Sequence, residues 1–411
     1  MKKAFLRVIV GVLLIAVCHG SSCDSDSNPP PPPDSVSITI GELIDCTGPG
    51  SPAGIAFHYA LRDVMRYYRE ERGIPSRKLK SIAYDTKYDH TRELPGYEWC
   101  REHGASLVVS AFLGDVELLK PYAARDKVAI ATMGTTAAQL EPPGWIFAFS
   151  VPTDAGMKTL MKWISDQHRD YSQGIPKIGT AGWSEPSYQE MEQATRQYCQ
   201  AHSDEFDYVG GFSAPVGTTT WESEVDALKE ADYVGLMAPA AASFIQEFQG
   251  SGYTATFIGL SSLTRFQGFV TDMCGWEALD GTLSAQGTLW WNESVPIVDL
   301  AKKLLQEYRP DEAEETVQAG SGYVDAIQRM MAVLEVLEQA IEEEGMADFD
   351  GQAFYDAATK YATTSPIWQG YPEWAFTETK HFLMDHLVIY EFSAEAQDLV
   401  RVSDWLPLAT D

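Results

Sequence analysis

The pattern of hydrophobic and polar positions alternates between short apolar runs and longer amphipathic segments. In the first part of the chain the short runs predict strands at 35–43, 79–84, 107–110 and 128–131. The segments between them predict helices at 53–71, 95–103 and 115–126, with Pro95 in a first turn and Gly104 as a stop. Strands separated by helices of about 10–15 residues are typical of βαβ units. We therefore expect an α/β lobe with a parallel sheet.

The same rhythm starts again after Pro152. Strands are predicted at 177–182, 208–212, 233–237 and 256–258, and helices at 154–167, 188–201, 222–230 and 241–249. The length of 411 residues also suits two lobes. Beyond residue 289 come helices at 296–308, 317–344 and 349–361, then strands at 386–392 and 398–402. This change of pattern indicates that the chain re-enters both lobes.

The N-terminus has the features of an export signal. Lys2, Lys3 and Arg7 precede the apolar run 8–17, which is too short to span a bilayer but suits a signal peptide. A cytosolic chain with an apolar first strand is the alternative. Cys18 and Cys23 follow, and lipidation at one of them or simple cleavage to a free periplasmic protein are both open. We expect a signal at 1–23.

A proline-rich segment follows the signal. Residues 24–28 are polar and 29–33 are five prolines, which form a stiff, extended spacer. We predict a tether at 24–35, with the protein in the periplasm or at the cell surface and anchored to the membrane by lipid.

Charge narrows the choice of partners. The formal net charge is −29, and loss of residues 1–23 would leave about −32. Nucleic-acid binders carry basic patches, so we expect no nucleic-acid partner. The charge does not require a cationic ligand, because a pocket can differ locally from the surface. Four cysteines follow the signal region, namely Cys46, Cys100, Cys199 and Cys274. Their spacing is not that of a metal-binding motif.

Ligands of open α/β sheets bind where strands end and helices begin, so the loops at these points are candidate sites. The loop from Ser110 and the loop 132–136 offer hydroxyl and N–H donors that suit a carboxylate. Helix capping by Asp115 and Thr136 is the alternative. In the second lobe, Trp183 and Tyr188 could wall a pocket, although surface packing is the alternative for both.

Arg265 could pair with an anion in the second lobe.

The first loop contains Gly48, Gly50 and Gly54 and could be a dinucleotide fingerprint. Pro49 and Pro52 remove N–H donors that a pyrophosphate would use, so we expect no cofactor.

The sequence contains no GxSxG, HExxH, Walker or calcium-loop motif. A binding protein is therefore favoured over an enzyme. An exported NAD-type or hydrolytic enzyme remains as an alternative.

These loops resemble the type I periplasmic solute-binding proteins, in particular the leucine/isoleucine/valine-binding receptors of ABC transporters. The likeness covers about 36–405, and the residues that carry it, in chain order, are Thr47-Gly48-Pro49, Ser110, Thr132–Thr136, Tyr188, Gly217–Thr220 and Gly259–Ser262.

The resemblance implies two Rossmann-like lobes joined by three hinge crossovers. The expected lobes are 36–152 with 284–378, and 153–283 with 379–411. It implies that Ser110 and the loop Gly134, Thr135 and Thr136 hold a carboxylate, and that Tyr188 covers the ligand. An acidic residue for an amino group is expected near Ser261 and is absent there, with Arg265 close by.

We therefore expect a small polar molecule, amino-acid-like or carboxylate-bearing, to be captured by hinge closure. The closed protein would deliver it to an ABC transporter permease. A receptor of the same fold that signals to a partner protein is the alternative function.

Overall fold

The structure is a computed structural model that describes residues 37–72, 79–111, 114, 116–168, 172 and 174–409. The predicted signal at 1–23, the tether at 24–35 and the lipidation candidates Cys18 and Cys23 lie outside these residues. No helix within the described part is long and apolar enough to cross a membrane. Nor do the described His, Cys, Asp and Glu residues form a group of three or more that could hold a metal ion.

The first lobe is built on a parallel sheet in the order β2-β1-β3-β4-β5. Its strands are β1 (Ile38–Ile44), β2 (Leu79–Asp85), β3 (Ala105–Ser110), β4 (Ala129–Thr132) and β5 (Ile146–Ala148). Its helices are α1 (Ser51–Glu71), α2 (Glu93–Glu102), α3 (Val116–Asp126), α11 (Pro296–Tyr308), α12 (Ala313–Ala319), α13 (Gly322–Glu344) and α14 (Gly351–Ala358). Helices cover both faces, so β1, β3 and β4 are buried on both sides and are nearly continuous apolar runs.

The second lobe is built on a mixed sheet in the order β12-β11-β10-β9-β8-β6-β7, with β13 paired to β11. Its strands are β6 (Lys177–Trp183), β7 (Asp207–Ala214), β8 (Tyr233–Leu236), β9 (Thr256–Leu260), β10 (Leu283–Gln286), β11 (His386–Ser393), β12 (Asp398–Arg401) and β13 (Leu406–Pro407). Its helices are α4 (Thr153–Trp163), α5 (Pro186–Ala201), α6 (Glu222–Leu228), α7 (Ala240–Gly250), α8 (Ser261–Arg265), α9 (Gln267–Cys274) and α10 (Trp276–Leu279). Strands β6 to β10 run parallel, and β11 and β12 are antiparallel additions at one edge.

The chain passes between the lobes at three places in the described residues. These are the segment between β5 and α4, the segment between β10 and α11, and the residues just before β11. In the last of these, Leu383 N–H donates to the carbonyl of Ala148 in the first lobe, and β11 then joins the second sheet. Three hinge crossovers and two α/β lobes confirm the predicted fold class.

The predicted strands and helices at 38–131 and 177–258 are confirmed to within a few residues. Short elements were missed, namely β5, β10, β13, α8 to α10 and α12. The lobe boundaries stay a prediction at residue level. Pairing of β10 with β9 and β11 places 284–286 in the second sheet, so the crossover predicted at 283/284 comes after Gln286.

Candidate ligand site between the two lobes

A cavity of about 120 Å³ lies between the lobes, where the parallel strands end. Both lobes and two of the crossovers line it, as expected for an open α/β sheet. Its walls are mainly apolar, with Met133, Val151, Met237, Leu260 and Phe266 among the lining residues. Polar side chains gather at two ends of this cleft, which we call the hinge end and the acidic end.

The hinge end is organised around the buried carboxylate of Asp325 on α13. Its Oδ2 accepts from Nε of Arg265 at 2.8 Å, and its Oδ1 accepts from Nε of Arg329, also at 2.8 Å. Thr288, on a crossover, donates to the same Oδ1 at 2.6 Å. Burial alone would raise the pKa of Asp325, but the two guanidinium groups outweigh it and lower that pKa to about 2. Asp325 is therefore an anion between two cations.

The ion pair at the hinge end joins the lobes. Arg265 ends α8 of the second lobe, whereas Asp325 belongs to α13 of the first. Arg329 donates to the carbonyl of Phe149, which leads into the first crossover, at 3.1 Å. One network thus connects both lobes and two crossovers.

Besides Oγ of Ser262, two buried donors of the cleft lining have no acceptor among the described residues. They are Oγ of Ser150 and Nε2 of Gln286, and their side chains are almost completely buried in the cleft lining. Oε1 of Gln286 accepts from Thr264 at 2.6 Å, which leaves its amide nitrogen unpaired. A buried donor without an acceptor costs about 1–3 kcal/mol, so such donors point to a bound partner.

The acidic end lies around Glu190 on α5. Burial raises the pKa of Glu190 to about 7, although a hydrogen bond from Gln139 lowers it. The charge of Asp154 raises this pKa further, and His90 lowers it. Glu190 therefore exchanges its proton near neutral pH.

Two contacts cross the cleft at the acidic end. Gln139 of the first lobe bonds to Glu190 of the second, and Tyr88 of the first lobe bonds to Glu185 before α5. Burial raises the pKa of Glu185, with Tyr88 and His90 acting against this. Together with the pair Arg265–Asp325, these contacts connect the two lobes across the cleft.

Three of the residues predicted from sequence line the cleft, namely Gly134, Ser261 and Arg265. The hydroxyl groups of the predicted carboxylate loop are used locally. Thr135 Oγ1 donates to Oε1 of Gln139 at 2.8 Å, and Thr136 N–H donates to the same oxygen at 3.0 Å. Thr136 Oγ1 accepts from the backbone N–H of Gln139 at 3.1 Å, as a helix cap does. Ser110 is fully buried beneath the lining, and its hydroxyl has no partner within the described part.

The structure corrects the positions expected for Trp183 and Tyr188, which lie in the interior of the second lobe. Tyr188 packs in the core, where its hydroxyl donates to the carbonyl of Phe212 at 2.9 Å. Gly182 has no side chain, and the ring of Tyr188 fills that space. Trp183 is also buried and donates from Nε1 to the carbonyl of Thr218 at 2.9 Å.

Several residues of the cleft were missed by the sequence analysis. They are Tyr88 and His90 after β2, Ser150 on the first crossover, Glu190 on α5, Gln286 at the end of β10 and Arg329 on α13. The strand-end rule would have found Tyr88 and His90 if it had been applied to β2. Nothing local to Gln286 or Arg329 distinguishes them from core residues.

The raised pKa of Glu190 gives a stability prediction. The folded state holds this proton more tightly than the unfolded state, so the parent should lose stability as pH rises from about 4.5 to 7. Glu190→Gln removes the titrating group, and we expect the variant to be about 2 kcal/mol more stable than the parent at pH 8 and equal to it at pH 4. Denaturant unfolding at both pH values measures this.

The control is Glu342→Gln, on the exposed face at the end of α13. Its difference from the parent should stay near zero at both pH values. An advantage of Glu190→Gln that is the same at pH 4 and pH 8 would contradict the assignment.

Comparison with known proteins identifies the family to which this fold belongs. The model of a family described as periplasmic binding protein matches residues 37–397. No curated protein gives a significant sequence match.

Solved structures with the same fold include three ABC transporter proteins. The branched-chain amino acid protein from Thermus thermophilus with bound valine is 16% identical, with a TM-score of 0.75 over 91% of this chain and 97% of that one. The fatty acid substrate-binding protein from Thermomonospora curvata is 15% identical, with a TM-score of 0.76 over 90% and 92%.

The third is the solute-binding protein from R. palustris in complex with 4-hydroxybenzoate. It is 13% identical, with a TM-score of 0.72 over 90% of this chain and 97% of that one. At these identities the likeness is one of fold. Since the family model covers most of the chain, the protein belongs to the periplasmic binding protein family, in its type I branch typified by the leucine/isoleucine/valine-binding proteins.

Proposed function

We propose that the protein is an extracytoplasmic solute-binding protein that captures a small polar molecule in the cleft by hinge closure. The ligand class is amino-acid-like or carboxylate-bearing. The observation that carries the proposal is the pair of unpaired buried donors, Ser150 and Gln286, in an apolar cavity between two lobes. A few convergent polar groups in a mainly apolar pocket are typical of ligand sites.

Delivery to an ABC transporter permease follows from the role of the family. The similar structures are a branched-chain amino acid transporter protein with bound valine, a fatty acid substrate-binding protein and a solute-binding protein in complex with 4-hydroxybenzoate. They support a small solute as the ligand but no particular solute. A role without catalysis agrees with the family, whose members bind and deliver. We further propose export to the periplasm and attachment through Cys18 or Cys23.

A thermal-shift screen tests the proposal. The panel contains amino acids, small carboxylates and neutral aromatic compounds. A ligand at 100 times its Kd stabilises the folded state by about 2.7 kcal/mol, which raises Tm by several degrees in a chain of this size. Sodium chloride at matched ionic strength is the control. If no compound of any class raises Tm beyond the salt, the proposed function is wrong.

A further inference from the structure

The polar side chains at the hinge end of the cleft offer hydrogen-bond donors to a ligand. Only Nε of Arg265 is engaged in a hydrogen bond within the described residues, so its two terminal nitrogens have donors left for a ligand. This side chain is mostly buried and lines the cavity beside Ser150 and Gln286. A ligand group that pairs with Arg265, Ser150 and Gln286 together must be a hydrogen-bond acceptor. A carboxylate accepts several N–H and O–H bonds at once.

The charges at the hinge end leave room for one negative charge. Arg265 and Arg329 are two cations, and Asp325 is the one anion bonded to them. The group therefore has an excess of one positive charge in a buried place, where an unpaired charge is costly. A single carboxylate neutralises it, whereas a dianion or a cation does not.

The acidic end is an unfavourable binding site for the carboxylate of the ligand. Thr135 donates its hydroxyl and Thr136 its N–H to Oε1 of Gln139, which in turn bonds to Glu190. A ligand carboxylate there would meet a second acid, and these two donors already have an acceptor. Like charges at close range disfavour each other.

The cavity limits the rest of the ligand. A cavity of about 120 Å³ is of the same order as the one of roughly 150 Å³ that holds benzene in an engineered protein, so it suits a compact ligand. Its apolar lining favours a body without further charges, such as one ring or a branched chain of similar size.

Building on the proposed function, we propose that the ligand is a compact apolar monocarboxylate, with its carboxylate held at the hinge end by Arg265, Ser150 and Gln286. Gly134 of the first lobe then contacts the ligand body. This orientation places the anion at the second lobe and the crossovers.

Isothermal titration of the full chain tests the ligand class. The probes are benzoate, cyclohexanecarboxylate and 3-methylbutanoate, each paired with its amide, together with leucine. The best carboxylate should bind about 30-fold more tightly than its amide, because charge-assisted hydrogen bonds are lost in the amide. An amide that binds as tightly, or binding of leucine alone, overturns this inference and leaves the proposed function standing. Failure of every probe and of the wider panel counts against the proposed function itself.

Variants test the orientation. Arg265→Gln should weaken carboxylate binding about 30-fold and leave amide binding unchanged. The matched control is Arg309→Gln, which breaks another buried Arg–Asp pair, with Asp63, away from the cleft. The inference is wrong if both variants weaken binding equally.

A second variant avoids any loss of fold. Ser150→Ala removes a hydroxyl that has no partner in the described structure, so the free protein should keep or gain stability while carboxylate affinity falls about 10-fold. The control is Ser284→Ala, which removes a hydroxyl that donates to the carbonyl of Leu260 at 3.1 Å. This control should lose stability but not affinity. Unchanged affinity in Ser150→Ala, with a clear loss in Ser110→Ala, would place the carboxylate in the first lobe and overturn the orientation.

Discussion

Replacing Asp325 by asparagine is expected to lower the free energy of unfolding by about 3–5 kcal/mol. The carboxylate is almost fully buried and is bonded to Arg265, Thr288 and Arg329. Asparagine keeps the shape but removes the charge, and two buried cations then face each other without an anion. Guanidine unfolding at pH 7 measures the loss.

Glu70→Gln is the control for this prediction. Glu70 accepts from Arg66 at 2.8 Å, but both side chains are about half exposed. Exposed pairs of this kind contribute about 0.5 kcal/mol or less. A loss below about 1 kcal/mol for Asp325→Asn would mean that water enters the hinge end and solvates the arginines.

Adding one methyl group at Gly268 is expected to keep the lobes from closing and to weaken ligand binding about 100-fold. Gly268 lies on α9 of the second lobe, against α12 of the first. A Cβ atom there would stand 2.3 Å from the carbonyl oxygen of Gln318 and 2.9 Å from Cα of Ala319. Both are backbone atoms of the other lobe, so the clash is relieved only if the lobes move apart. If closure is required for binding, affinity falls with the closed fraction.

Small-angle X-ray scattering gives an independent measure for Gly268→Ala. At a ligand concentration that saturates the parent, the variant should keep a larger radius of gyration. Its Tm without ligand should change little, because the core of each lobe is untouched. Gly250→Ala is the matched control, since Gly250 also lies in a helix and a Cβ there meets nothing within 4 Å. Equal affinity of the two variants would show that α9 and α12 do not limit closure.

The sequence was sufficient for most of the fold because the long elements have clear periodicity. Strands buried on both faces and amphipathic helices differ in length and pattern, so β1 to β4 and β6 to β9 could be located. Strand β5 has three residues and α8 has five, too few for a period to be visible. Strand β10 reads Leu-Ser-Ala-Gln, and only its pairing with β9 and β11 identifies it.

The candidate site could be predicted in place but not in detail. The ends of the parallel strands do meet at the cleft, and Gly134, Ser261 and Arg265 are there. The direction of a side chain depends on its neighbours in three dimensions, as Tyr188 turning into the space above Gly182 shows. Likewise, Asp325 lies within a long helix, and only the fold brings Arg265 to it, 60 residues away along the chain.

The crossovers have a further consequence, because polar side chains of the cleft lie on one of them and directly beside another. Ser150 lies on the first crossover, and Gln286 is the last residue of β10 before the second. A ligand bonded to them would restrict the backbone torsions of the pivot itself. Part of its binding free energy would then be used to order the pivot, so capture would be accompanied by a loss of conformational entropy at the joint. Conversely, a partner that twists the joint could loosen the ligand without entering the cleft.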